Sequence, residues 1–252
     1  MKQRIVCLLL AAVLLLQLSG CKQPDTQAEP KDKESVSKPD CYGWEALSEE
    51  LGIRFLKPSG SSDVFVEAPL GSVEGKTYTN PYLGFSFTVD PKWTVVPAED
   101  LQNLTGLTKD MLSESDFGQY IASVPQYFDV MAMSKDGKHQ INILYEKQPG
   151  FLEDHFGNMS EEEFIDTLLA SDSVLKETYA AANMEVLEMQ KKTVTFLGEP
   201  HFALYTSAEL AGQPIYLIQL ADFSLFPYSV SITVGCITED RTQEILQYFS
   251  PI

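Results

Sequence analysis

The chain has 252 residues, with 36 acidic side chains against 18 basic ones and a net charge of −18. That balance excludes a general nucleic-acid-binding surface, which needs clustered cations to neutralise phosphate, and it disfavours adsorption of the folded part on anionic lipid. An apolar share of 44% is enough to build a packed core.

The chain opens with a segment unlike the rest. Lys2 and Arg4 precede an apolar run over residues 5–16, and Leu18-Ser19-Gly20-Cys21 then sets small residues ahead of a cysteine. The run is shorter than the ~20 apolar residues of a membrane-spanning helix and has the length of a signal-peptide core. The four residues ending at Cys21 resemble the lipobox of bacterial lipoproteins. The resemblance implies a signal peptide over 1–20, cleavage before Cys21, and lipid on that cysteine, palmitate among its acyl chains. One acyl chain holds a protein to a membrane only marginally, whereas two or three anchor it stably.

Residues 22–40 contain three prolines, no aromatic residue and a single branched aliphatic, Val36. They cannot bury enough apolar surface to offset the entropy of ordering, so 21–40 reads as a lipidated cysteine on a disordered tether. Residues 41–75, with Trp44, Leu47 and Leu51 at helical spacing, read as an N-terminal extension of the main domain.

Regular patterning begins near residue 76 and continues to 252. Leu83, Phe85, Phe87 and Val89 alternate with small or polar residues, as on a half-buried strand, and Trp93 to Val96 form another. A helix is expected over 99–122. Strands at 127–134 and 139–147 flank Asp136-Gly137, a hairpin signal. Ser160 and Glu163 have capping-box spacing at the start of a helix over 160–182. Four strands are expected at 184–197, 201–210, 214–223 and 228–237, and a helix from Thr238 to Phe249 with Thr238 as its N-cap.

These elements predict an α+β fold, an antiparallel sheet of about six to seven strands packed with helices. The run from Tyr78-Thr79-Asn80 through Gly84-Phe85-Ser86-Phe87 to Pro91-Lys92-Trp93 resembles the opening of PsbP-like domains. That resemblance implies an α/β/α sandwich over 76–252 and an accessory or binding role, and it transfers no catalytic residue.

Candidate chemistry is sparse. His139, His155 and His201 fall in separate elements and form no metal-ligand pair, so surface or turn positions are expected for them. Ser86 and Ser231 lie opposite apolar neighbours, on faces expected to meet solvent. Glu153, Asp154, Asn158 and Glu161 to Glu163 invite a calcium reading, but without the spacing of a calcium loop they fit a helix N-terminus better. Tyr78, Tyr82, Phe85, Phe87 and Trp93 are either core or the wall of a ligand groove, with core preferred for Phe85 and Phe87. Phe223, Phe226 and Tyr228 read as a strand-to-strand corner. Cys41 and Cys236 could pair outside the cytoplasm, yet Cys236 continues the alternation Val230, Ile232, Val234 as a buried strand residue.

No metal or other cofactor is indicated. The chain reads as a non-catalytic binding or accessory module of the cell envelope, lipid-anchored through Cys21 with its domain outside the cytoplasm, acting on a protein or small-molecule partner. The alternatives are an extracytoplasmic hydrolase whose site is assembled from distant residues, and an assembly or stress factor of an envelope complex.

Overall fold

The computed structural model describes residues 68–98, 101, 126–147, 159–181, 183–225 and 227–252. The expected leader, tether, most of the extension and the 99–122 helix lie outside these residues, Leu101 excepted. Among the described residues eleven strands and three helices follow in chain order: β1 Ser72–Glu74, β2 Thr77–Asn80, β3 Phe85–Thr88, β4 Trp93–Pro97, β5 Gln126–Ser134, β6 His139–Lys147, α1 Glu161–Leu169, α2 Asp172–Ala181, β7 Met184–Phe196, β8 Glu199–Leu210, β9 Gln213–Asp222, β10 Tyr228–Ile237, α3 Thr242–Leu246 and β11 Phe249–Pro251. They build two antiparallel sheets, one of four strands in the order β1-β2-β3-β11 and one of seven in the order β4-β5-β6-β10-β9-β8-β7.

The α+β class and the PsbP-like α/β/α sandwich are therefore corrected: strands dominate, and a second sheet stands where one layer of helices was expected. One face of the large sheet packs against the small sheet through Phe85, Phe87, Phe249, Val130, Ile143, Ile232 and Val234, with Ile245 and Leu246 of α3. The other face carries α1 and α2 at its β7–β9 end, where Phe164, Leu168, Leu175 and Tyr179 meet Leu204, Ala208 and Leu217. At its β5–β6 end, Leu101 packs on Phe128, Met131 and Leu144.

The second sheet was hidden from pattern reading because β1, β2 and β11 have only three or four residues, too few to display an alternation. Its closing strand also joins by a non-local pairing, Phe249 opposite Phe87. The run from Tyr78 to Phe87 is a hairpin of β2 and β3. Asn80 makes the turn, its Oδ1 accepting from the N–H groups of Tyr82 and Leu83 at 2.9 and 3.1 Å.

The central strands β5, β6 and β7 to β10 fall close to their expected bounds, and Asp136-Gly137 turns the β5–β6 hairpin with Gly137 at φ 71°. The capping box is present: Ser160 Oγ accepts from Glu163 N at 3.2 Å, and Glu163 Oε2 accepts from Ser160 N at 3.0 Å. The single helix over 160–182 is in fact two, broken at Ala170 and Ser171. The C-terminal helix is short, and Thr238 is not its N-cap, having φ 74°. Asp240 holds the helix start instead, Oδ1 accepting from Thr242 N at 3.1 Å. No helix among the described residues is long and apolar enough to cross a membrane.

Candidate functional site

A cleft of about 360 Å³ opens where β9 ends and α1 begins. Phe85, Phe196, Leu220 and Ile232 form its buried floor, and Leu83, Met159 and Phe223 its half-buried walls. Phe223 is fixed edge-on against Phe164 of α1, ring centres 4.9 Å apart. A volume of this size, apolar with a few converging polar groups, has the character of a small-molecule site.

The polar groups come from three elements. The capping box sets the first turn of α1, and Glu161 leans from it onto β8. Glu161 Oε1 lies 2.7 Å from His201 Nδ1, while Oε2 accepts from Phe202 N at 3.1 Å. The carboxylate thus fixes the imidazole ring, which also stands edge-on to Phe196 at 5.7 Å. With Nδ1 committed, Nε2 is the nitrogen left for acid–base work or ligand recognition. Asp222 and Ser224 line the same cleft, Asp222 Oδ1 accepting from Ser224 N at 2.7 Å. No hydrogen bond joins Ser224 to His201 among the described residues.

A second cleft, of about 410 Å³, lies at the opposite end of β10, beside α3. Trp93 is its floor, stacked on His139 at 6.3 Å and met edge-on by Tyr248 at 5.7 Å. Burial, with the nearby Arg241 charge, pushes the His139 imidazole below its ordinary pKa. Arg241 is itself engaged by Glu244. Lys92 and Lys135 at this rim are offset by Asp90 and Asp136, so the cleft has no dominant charge.

Pattern reading missed a buried polar knot that has no cleft. A β-bulge between Phe128 and Val130 leaves Asp129 unpaired in the β5–β6 ladder, and such bulges re-aim a side chain. Asp129 Oδ1 accepts from Gly71 N at 2.8 Å and Oδ2 from Tyr78 Oη at 2.5 Å. Asn80 Nδ2 lies 3.0 Å from Asp129 Oδ2 and 2.9 Å from Tyr145 Oη. Gly71 is required there, since a Cβ would stand 2.5 Å from the Tyr78 ring. Burial raises the Asp129 carboxyl and, helped by the neighbouring Asp129 charge, both tyrosines. The knot clamps residues 69–71 to the large sheet. The one signal for it was an acid inside the apolar run Tyr127 to Met133.

The other sequence candidates are placed as follows. Tyr78, Phe85, Phe87 and Trp93 are core, while Tyr82 is exposed. Phe223 and Tyr228 flank the corner between β9 and β10, as expected; Phe226 lies outside the described residues. Cys236 is a buried free thiol on β10, pushed up to about 12 by burial, and Cys41 lies outside. The calcium reading loses its α1 donors: Glu161 holds His201, Glu162 pairs with Lys191 at 2.8 Å, and Glu163 closes the capping box. Among the described residues no three His, Cys, Asp or Glu groups are placed to hold a metal. Glu153, Asp154, His155 and Asn158 lie outside. Ser86 is half-buried, its backbone paired with Ser250 of β11. Ser231 corrects its expectation: it faces no solvent and is buried. His201 is partly exposed near the start of β8 and pairs with Glu161 beside the first cleft.

No protein-family model matches this chain, and no curated protein matches it either.

Proposed function

We propose that the protein is an exported lipoprotein, held to a membrane through lipid on Cys21, whose domain is a binding or accessory module outside the cytoplasm. The sequence at residues 1–21 supports the anchor. One structural observation supports binding: the apolar cleft beside Phe223, closed at one end by Glu161, His201 and Asp222. Such a cleft suits the apolar part of a ligand or partner side chain, with a hydrogen-bonding group directed to the His201 end.

Nile Red, a neutral apolar dye, tests the cleft in the full-length protein. Its fluorescence should rise saturably, and Phe223→Ser should reduce the affinity about tenfold. Equal binding by the variant and the parent overturns the assignment. Cys21→Ser tests the anchor, and loss of lipid labelling and of membrane retention is expected.

A second reading, an extracytoplasmic hydrolase, draws support from the His201–Glu161 contact with Ser224 lining the same cleft. It requires p-nitrophenyl butyrate turnover that disappears in both Ser224→Ala and His201→Ala. Dye binding without turnover favours the binding module.

A further inference from the structure

A strip of the large sheet is polar where both faces are buried. On β10 the residues facing the small sheet are Val230, Ile232, Val234 and Cys236, whereas those facing the other way are Ser229, Ser231, Thr233 and Gly235. Alternation of this kind ordinarily marks a strand with one solvated face, but Ser231 and Thr233 are 1% and 0% exposed. Asn142 of β6, also 0% exposed, stands directly opposite Thr233, which stands opposite Gln219 of β9.

The strip runs between two apolar clusters, one under α1 and α2 and one around Leu101 and Leu144. Its far end is tied off: Gln219 Nε2 donates to Thr233 Oγ1 at 3.4 Å, and Tyr179 Oη donates to Gln219 Oε1 at 3.2 Å. Its near end is not. Neither amide atom of Asn142 has a hydrogen-bond partner, and neither does Ser231 Oγ. Buried polar atoms are nearly always paired, and leaving three together unpaired costs as much as several lost hydrogen bonds.

We propose that this strip is a binding site for a small neutral ligand carrying an amide group. Asn142 presents an N–H donor and a C=O acceptor side by side, the complement of another amide. Ser231 adds a hydroxyl that serves as donor or acceptor. This site lies on the other face of the sheet from the cleft floor at Phe85 and Ile232 and does not depend on it.

The test is a titration of the full-length, nitrogen-15-labelled protein with N-acetylglycinamide. The side-chain amide signals of Asn142 should shift saturably, with affinity in the ~1 mM range expected of a fragment-sized probe. Asn142→Leu should bind at least about tenfold more weakly with an unchanged fold, and Ser231→Ala about threefold more weakly. Sodium acetate and methylammonium chloride should produce no such shift. No saturable shift with N-acetylglycinamide, binding unaltered in both variants, or ordered water alone at Asn142 and Ser231 would each overturn the proposal.

Discussion

The two faces of the seven-stranded sheet use the same strands in different ways. Toward the small sheet, β10 presents aliphatic side chains and a thiol, packed with Phe249, whose ring centre lies 5.4 Å from that of Phe85 and 5.2 Å from that of Phe87. The buried charged side chain there among the described residues, Asp129, has a donor on each oxygen. Toward α1 and α2, the same strand presents serines, a threonine and a glycine, and Asn142 beside them has no partner. Polarity on the first face is spent on holding the N-terminal segment in place. Polarity on the second is left open, and unmet buried groups accumulate at sites that await another molecule.

The sharpest way to break this contrast is Asp129→Ala. It strips the acceptor from Gly71 N–H, Tyr78 and Asn80 at once, and about 3 kcal/mol or more should be lost in urea unfolding, since each orphaned buried donor costs ~1–3 kcal/mol. A loss under about 1 kcal/mol would mean that the knot clamps nothing.

The same residue gives a pH signature. Because burial raises the Asp129 carboxyl in the folded protein, its stabilising contribution is fully present below its ordinary value of 3.8 and declines as the pH rises above it. Relative to Asp129→Asn, the parent protein should therefore lose unfolding free energy as the pH rises above that ordinary value. A difference that stays flat, or grows with pH, would show that Asp129 is not held in this environment.

On the other face the first turn of α1 offers a smaller test. Ser160→Ala removes the cap and should cost about 1 kcal/mol. It should also loosen Glu161 from His201, seen as greater mobility of the His201 ring signals in NMR. An unmoved His201 would separate the cap from the cleft.

Much of the large sheet was legible, because β5 to β10 are long, alternate at period two and are joined by turns with recognisable chemistry. Asp136-Gly137 is the clearest case. The capping box at Ser160 and Glu163 was equally plain, and it places the glutamate that fixes His201, but that partnership spans 40 residues and leaves no local trace. The small sheet was invisible for a different reason: strands of three or four residues carry no period, and β11 finds β3 only after the chain has folded. Ser231 was misread because alternation reports that two faces differ, not whether the second is covered. Asp129 was missed because a bulge, not a pattern, decides where it points.

The division of the sheet into a stability face and a binding face is tested most directly by urea unfolding of Asn142→Leu without added ligand. Asn142 contributes unmet polar atoms to a fully buried position, and leucine fills a similar volume without them. The variant should be as stable as the parent, or more stable by up to about 2 kcal/mol. A loss of about 2 kcal/mol or more would show that Asn142 is held by structural hydrogen bonds after all, and would contradict the account.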